Sequence, residues 1–311
     1  MVPLVLTQGD PAGVGPELLL RVAQAGLVRE GDRVFADPDA LAQLAARLAG
    51  QGAGWAGDAL AVLRGHLDPE CRPALGQFEA LRLATDHALA ACARGEPIAM
   101  VTAPIDKAIA HAEGLRYPGH TEYLAARCGT DRFAMLMLGT TLRVALVTIH
   151  LPLREVAASL RSEDIVRVGL LLADALAQWP GVPARIGVLA LNPHAGEKGH
   201  LGDEEGRVIE PAIAQLSRAR PQIAFVGPLP ADTAFTRQAQ GELGGLVAMY
   251  HDQALGPFKL LHFVDGINVT LGLPFRRASP DHGTARDLAG RGLADARSML
   301  AAVAYARAGV A

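Results

Sequence analysis

Short apolar segments alternate with amphipathic ones along most of the chain. Runs of four to six residues rich in β-branched and other apolar side chains have the length of buried strands. They cover residues 3–7, 98–102, 186–191, 246–249 and 267–270. Because helical stretches separate these runs, the pattern predicts parallel strands joined by crossover helices.

Two longer segments have helical periodicity. Residues 162–178 repeat apolar side chains on one face, and Ser162 is placed to cap the first turn. Residues 76–94 form the second predicted helix. One departure interrupts the alternation, because residues 133–138 and 142–148 flank Gly139-Thr140-Thr141 and predict an antiparallel hairpin. The predicted fold class is therefore α/β with a mixed sheet.

The composition argues against nucleic-acid-binding and membrane proteins. The chain has 311 residues, of which 50% are hydrophobic and 20% charged, so we expect a globular protein of two closely packed domains. The net charge of −3, without a basic block, argues against a nucleic-acid partner. The first residues lack a cleavable leader, and no apolar run spans a bilayer, so we expect a cytoplasmic protein with no membrane contact. Three widely spaced cysteines are typical of reduced, structural thiols.

Two glycine-punctuated segments follow predicted strands. Residues 7–17 carry three glycines and place Pro16 in the first turn of a helix, but they match neither a Rossmann nor a Walker motif. They suit either a tight turn or close approach to a ligand. Further on, Lys107 opens a helix and Gly119-His120-Thr121 forms a predicted turn, which together suit an anionic substrate. An isolated His120 would equally suit a solvated position.

Three histidines occupy matching contexts. His150, His194 and His251 each stand where an apolar strand gives way to a turn punctuated by proline or glycine. Each alone is typical of a satisfied polar residue, but the trio favours a metal site. Imidazole suits zinc, cobalt, nickel and iron, and three ligands leave positions open for substrate oxygens.

The C-terminal region adds candidates for binding anions. Lys259, Asn268 and Arg277 lie near predicted strand ends, where they suit phosphate or carboxylate. One of the adjacent arginines could equally be a solvated charge. His282-Gly283-Thr284 either opens a ligand-binding helix or serves only as its cap.

Taken in order, these segments resemble one family. They read GDPAGVGPE, TAPIDK, YPGHTE, IHLPL, LNPHAGE, YHDQALGPFK and SPDHGTA. The series is similar, from Thr7 to about Gly290, to the 4-hydroxythreonine-4-phosphate dehydrogenases of pyridoxine biosynthesis. That resemblance implies a fold like that of isocitrate and isopropylmalate dehydrogenases, with two α/β/α lobes, a mixed sheet and a cleft between the lobes. We expect residues 1–125 plus 280–311 to form a discontinuous core lobe, and residues 126–279 to form a metal-binding and dimerisation lobe.

The resemblance also implies roles for individual residues. His150, His194 and His251 would bind one divalent metal ion, zinc, magnesium or cobalt, with His251 contributed by the partner subunit of a homodimer. NAD or NADP would lie near the segment that begins at Asp281. The implied substrate contacts are His120, Thr121, Lys259, Asn268 and Arg277, and the implied cofactor contacts are Asp281, His282, Gly283 and Thr284.

The implied reaction is oxidation of 4-phosphohydroxy-L-threonine at its C3 hydroxyl, followed by loss of CO2 to give 3-amino-2-oxopropyl phosphate. Lys107, Asp232, Asp252 and a metal-bound water are all candidates for the general base. Alternatives are a sister dehydrogenase that acts on 4-phosphothreonate, 4-phosphoerythronate or an aromatic cis-dihydrodiol carboxylate, and, in another class, a phosphate acyltransferase. The set of Lys259, Asn268 and Arg277 favours a phosphorylated substrate.

Overall fold

The structure is a computed structural model that describes residues 2–309. Contacts within the chain divide it into two compact units, a first unit of Met1–Asp131 with Leu273–Ala311 and a second unit of Arg132–Gly272. No helix in the described part of the chain is both long enough and apolar enough to cross a bilayer.

The first unit begins with an alternation of strands and helices. Its N-terminal part contains three strands and six helices: β1 (Leu4–Thr7), α1 (Gly15–Gln24), β2 (Arg33–Phe35), α2 (Pro38–Gly50), α3 (Trp55–Arg64), α4 (Gln77–Ala93), β3 (Ala99–Thr102), α5 (Lys107–Ala112) and α6 (His120–Arg127). Side-chain caps start two of these helices, because Asp37 accepts from the amides of Asp39 and Ala40, and Asp106 accepts from that of Ile109.

The second unit carries the mixed sheet. Its elements are β4 (Ala134–Leu138), β5 (Arg143–Leu146), α7 (Leu153–Ser159), α8 (Ser162–Leu176), β6 (Arg185–Leu189), α9 (Glu210–Ala219), β7 (Ala224–Leu229), α10 (Ala231–Ala239), β8 (Gly245–Ala248), α11 (His251–His262) and β9 (Ile267–Leu271). Strand β4 pairs antiparallel with β5 and with β9, which confirms the predicted hairpin. Strands β5, β8, β6 and β7 are parallel neighbours in that order.

The chain then returns to the first unit. Strand β10 (Arg276–Pro280) and helix α12 (Arg297–Ala308) complete it. Its strands run parallel in the order β2, β1, β3, β10. Apolar side chains from these strands pack against α4 and α6 in one core, which includes Val5, Met100 and Phe275. A separate core in the second unit gathers side chains such as Leu146, Leu246 and Phe258.

Two local predictions are wrong. Ser162 does not cap α8, because its hydroxyl donates to the carbonyl of Val208 at 2.7 Å and the N-cap position belongs to Arg161. No helix opens at His282-Gly283-Thr284, since the next helix begins at Arg297. Ala285 has a φ of 42°, in the left-handed region, which a right-handed helix excludes.

Candidate active site

The three candidate histidine ligands follow three neighbouring strands of the second unit. His150 comes after β5, His194 after β6 and His251 directly after β8, and β8 pairs in parallel with both β5 and β6. Parallel neighbours end at the same edge of a sheet, which is where α/β enzymes bind ligands. The predicted position of each histidine at a strand end is confirmed.

His150 and His251 of one chain are neighbours. Their ring centroids lie 5.9 Å apart with the planes tilted by 39°. Both rings line a pocket of about 240 Å³ together with Leu153, Tyr250 and Asp252. A zinc–nitrogen bond of about 2.1 Å puts a ring centroid roughly 3.2 Å from the ion, so this separation suits two imidazoles on one cation.

Carboxylates orient two of the histidines. Nδ1 of His194 lies 2.7 Å from Oε1 of Glu197, and Nδ1 of His251 lies 2.7 Å from Oδ1 of Asp252. These bonds select the tautomer that carries the proton on Nδ1 and leaves the Nε2 lone pair for a metal, the arrangement that usually surrounds bound cations. The hydrogen bond to Glu197 also raises the pKa of His194. The donor set therefore fits a divalent metal ion.

His194 does not join the other two histidines within one chain. Among residues 2–309, no three histidine, cysteine or carboxylate side chains lie close enough together to hold a metal ion. The side chain of His194 is 66% exposed. One chain thus pairs His150 with its own His251, whereas the resemblance implied a His251 from the partner subunit. The complete three-histidine site and the subunit that supplies His251 stay predictions.

His194 lies in an unusual turn, Pro193–Gly199. Its φ angle is 51°, and those of Ala195, Glu197 and Lys198 are 55°, 42° and 57°. Left-handed backbone costs about 1–2 kcal/mol for each residue other than glycine. Such a run persists only where surrounding contacts hold it, and it is typical of functional sites.

In the first unit, a buried arginine lies beside the predicted substrate-binding histidine. Arg277, on β10, is 3% exposed and donates from Nη2 to Oγ1 of Thr102 at 2.6 Å. Burial lowers its pKa to about 10, and the carboxylate of Glu122 opposes that shift. The guanidinium therefore remains charged at neutral pH inside the protein.

His120, the predicted substrate-binding histidine, lies in the same buried surroundings. It is the first residue of α6, so the predicted Gly-His-Thr turn is instead a helix start. Its Nε2 atom is enclosed and has no hydrogen-bond partner. Burial holds the pKa of His120 well below its usual value, and the charges of Arg277 and Lys107 lower it further. Thr121 beside it is buried. A neutral imidazole with an unused nitrogen next to two cations suits a phosphate or carboxylate ligand.

The remaining substrate and base candidates lie in the second unit. Asn268, on β9, has an enclosed Oδ1 atom without a hydrogen-bond partner. Lys259, on α11, has its Nζ atom 5.8 Å from the ring of Phe263. Asp232 opens α10 and contributes to the raised pKa of His194, so it lies near that histidine. Asp252 lies with Oδ1 2.7 Å from Nδ1 of His251, so its carboxylate is also placed to orient that ring.

The predicted cofactor segment packs against the first glycine-rich segment. The carbonyl of Thr284 accepts from the amide of Val14 at 2.9 Å. A Cβ atom on Gly13 would lie 2.7 Å from that same carbonyl oxygen, so only glycine permits this approach. The amide of Asp281 donates to Oγ of Ser298 at 3.1 Å. The glycine-rich turn thus holds the segment that would contact the cofactor.

Arg286 is a further candidate for the site, and the sequence pattern did not indicate it. Its Nε donates to Oδ2 of Asp10 at 2.7 Å, and its Nη2 lies 3.2 Å from Oδ2 of Asp106. Asp106 caps the helix that begins at Lys107. Arg286 also lines a pocket of about 330 Å³ together with Arg47, Gly13 and other residues. No sequence motif around Arg286 distinguishes it from an ordinary solvated arginine.

Comparisons with known proteins agree with this arrangement. A family model described as "Pyridoxal phosphate biosynthetic protein PdxA" matches residues 68–306. A 4-hydroxythreonine-4-phosphate dehydrogenase of Desulfosudis oleivorans is 43% identical over 326 aligned positions, which cover 97% of this chain and 94% of the relative. The crystal structure of a 4-hydroxythreonine-4-phosphate dehydrogenase from Klebsiella pneumoniae aligns with a TM-score of 0.80 at 32% identity, covering 99% and 98% of the two chains.

A more distant likeness concerns the fold alone. An isocitrate dehydrogenase from Methylococcus capsulatus aligns with a TM-score of 0.50 at 13% identity, covering 96% of this chain and 83% of that one. The predicted membership in this fold class is therefore confirmed.

Proposed function

The chain belongs to the PdxA family of pyridoxal phosphate biosynthetic proteins, and on that basis we propose that it is a 4-hydroxythreonine-4-phosphate dehydrogenase. It would oxidise the C3 hydroxyl of 4-phosphohydroxy-L-threonine with NAD or NADP. The bound nicotinamide would supply the acceptor for the hydride on C3, and a base of the protein would take the hydroxyl proton. The resulting 2-amino-3-oxo-4-phosphohydroxybutyrate loses CO2 and takes up a proton to give 3-amino-2-oxopropyl phosphate.

The observation that carries the proposal is the pair of His150 and His251 at one pocket, with Nδ1 of His251 bonded to Asp252. With His194 they would hold a divalent cation, zinc, magnesium or cobalt. Such a cation lowers the pKa of a bound hydroxyl and stabilises negative charge on its oxygen. The three histidines would bind it as neutral ligands, which leaves its double charge undiminished.

The charged ends of the substrate have their own candidate contacts. Arg277 is buried, and the enclosed Nε2 of His120 can donate to an oxyanion in the tautomer that carries the proton on that nitrogen. Thr121, Lys259 and Asn268 complete the proposed set. Because Arg277 is already fixed by Thr102, it would meet a phosphate or carboxylate with little loss of side-chain entropy.

The nicotinamide cofactor has a candidate position in the first unit. We assign its contacts to Asp281, His282, Gly283 and Thr284, which lie beside the glycine-rich turn. The neighbouring pocket of about 330 Å³ adds Arg47 and Arg286 to the polar groups available there. Lys107, Asp232 and Asp252 remain the protein's candidates for the base.

We also propose a cytoplasmic homodimer with a shared metal site. The support is an apolar surface at the C-terminal end of α11, where Leu260, Leu261 and the C-cap residue Phe263 are 84%, 53% and 75% exposed. Surfaces of this kind mark protein–protein contacts. The exposed His194 is open to a metal site that the partner subunit completes, and the resemblance implies that the partner would supply its His251. Three free cysteines accord with a reducing compartment.

The test is the absorbance of reduced nicotinamide with 4-phosphohydroxy-L-threonine as substrate. Turnover should disappear after chelation and return with added zinc, magnesium or cobalt. Turnover only with 4-phosphothreonate, 4-phosphoerythronate or an aromatic dihydrodiol carboxylate would reassign the substrate. Metal-independent acyl transfer to phosphate, without any dehydrogenation, would overturn the proposal.

A further inference from the structure

Glu205 is a buried carboxylate just after the turn that carries His194. It is 5% exposed and begins a short π-helix, Glu205–Ile209. Its Oε1 atom accepts from the backbone amides of Leu191 and Asn192 at 2.9 and 2.8 Å, and Oε2 accepts from Nδ2 of Asn192 at 3.0 Å. One carboxylate therefore binds three donors on the two residues that precede the Pro193–Gly199 turn.

Two glycines make room for this contact. A Cβ atom on Gly196, inside the turn, would lie 2.6 Å from Oε2 of Glu205. One on Gly202 would lie 2.3 Å from Nδ2 of Asn192. The amide of Leu201 donates back to the carbonyl of Gly196 at 3.1 Å, which closes the turn over the carboxylate. Glu205 is thus enclosed by the segment that it binds.

Burying a carboxylate costs free energy unless hydrogen bonds compensate for the lost hydration. An apolar side chain in the same place would avoid that cost but could not bind the backbone amides. Here the bonds hold both amides at the exit of β6, directly before four non-glycine residues with left-handed backbone. That backbone brings His194 within 2.7 Å of Glu197. We propose that Glu205 is a positioning residue that keeps the turn in this conformation and so aims His194 at its metal. The inference rests on the proposed metal site.

Glu204 offers a matched control. It is the adjacent carboxylate and accepts from the same side chain, Nδ2 of Asn192, at 2.7 Å, while the two backbone amides donate to Glu205. Glu205→Ala and Glu204→Ala should therefore separate loss of the backbone anchor from loss of a nearby charge. In Glu205→Gln, the amide oxygen can keep both backbone bonds, but its NH2 group faces the NH2 group of Asn192.

The experiment measures two quantities on the full-length protein, the hydrogen exchange of residues 191–199 and the affinity for Co²⁺ in competition with a chelating dye. Glu205→Ala should speed exchange at Leu191 and Asn192 at least about tenfold and weaken cobalt binding about 10- to 100-fold, the usual range for groups that orient metal ligands. Glu205→Gln should give exchange rates and a cobalt affinity between those of the wild type and Glu205→Ala, with an unfolding temperature close to that of the wild type. Glu204→Ala should change neither quantity more than about threefold.

The outcomes separate this inference from the proposed function. Wild-type protein that binds no cobalt would count against the metal site, and the exchange data alone would then decide whether Glu205 holds the turn. Wild-type exchange and cobalt affinity in both Glu205 variants would overturn the inference even if the enzyme is an active dehydrogenase. Equal effects of the Glu204 and Glu205 substitutions would overturn it as well, because a general effect of charge would then explain them.

Discussion

Arg277 donates a 2.6 Å hydrogen bond to the hydroxyl of Thr102, and the two residues lie on the paired strands β10 and β3. A bond between neighbouring strands fixes the guanidinium before any ligand arrives. A guanidinium held in this way presents its donors in the fixed geometry that suits phosphate and carboxylate.

Arg277→Lys should therefore raise the KM for the phosphorylated substrate about 10- to 100-fold while changing kcat less, because lysine cannot keep the bond to Thr102 and present a second fixed donor. Steady-state rates measure this effect. The control is Arg276→Lys, since Arg276 donates to the carbonyls of Ala306 and Arg307. A KM that is unchanged in Arg277→Lys would remove this residue from the substrate site.

His120 should make the protein sensitive to acid. Burial keeps its pKa well below the ordinary 6.5, so the folded state resists protonation that the unfolded chain accepts. Its contribution to stability is complete above pH 6.5 and is lost as the pH falls towards the folded pKa. The free energy of unfolding should thus fall more steeply from pH 8 to pH 5 in the wild type than in His120→Gln. Urea titrations at several pH values test this, and parallel curves would contradict it.

The carboxylates beside His194 and His251 should tune metal binding. Glu197→Ala and Asp252→Ala should each weaken the affinity for Zn²⁺ about 10- to 100-fold, because the ring loses the acceptor that fixes its tautomer. Competition with a zinc-binding dye gives the constants. Glu242→Ala removes a carboxylate that pairs with Arg237 in the same unit and should leave the affinity unchanged. Wild-type affinity in both test variants would mean that neither carboxylate orients a ligand.

Two glycines should respond to the same substitution in opposite directions. A Cβ atom on Gly15 would lie 1.9 Å from the carbonyl oxygen of Gln8, so Gly15→Ala should lower the free energy of unfolding by about 3 kcal/mol. Gly57, in α3, has open space around it, so Gly57→Ala should raise the free energy by about 0.5–1 kcal/mol. Urea denaturation measures both. An unchanged free energy of unfolding in Gly15→Ala would show that the backbone around Gly15 and Gln8 shifts at little cost.

The apolar surface of α11 should determine the oligomeric state. Leu260→Asp with Phe263→Asp should convert a dimer to a monomer in light-scattering measurements, because two charges would replace apolar contacts. Leu293→Asp is the control, since Leu293 is 64% exposed but belongs to the first unit. A dimer that survives the double substitution would assign the interface to another surface.

Buried strands were the most predictable part of the fold. Strand β3 begins one residue after its predicted start, because a strand covered on both faces is a continuous apolar run. The predictions that fail depend on distant partners. Ser162 bonds a carbonyl 46 residues away, and the segment after Asp281 is shaped by the amide of Val14. Neither partner is visible in a local pattern.

The residues of the candidate site also fall into those that a local pattern predicts and those that it does not. Histidines after apolar strands could be predicted from the sequence, since strand ends converge at one edge of a sheet. Glu197 could also have been predicted from the sequence, because it stands three residues after His194 in the same motif. Glu205 and Arg286 could not be predicted, since the role of each depends on the atoms that the fold places around it.

The placement of His150, His194 and His251 after three separate strands implies an order of events during biogenesis. These strands are far apart in sequence, and the unfolded chain offers a metal only scattered imidazoles. The proposed site could not nucleate folding as a zinc finger does, because even His150 and His251 come together only after β5 and β8 have paired. Metal loading would then be the last step of maturation, and the newly made protein must reach its native fold before it competes for the ion.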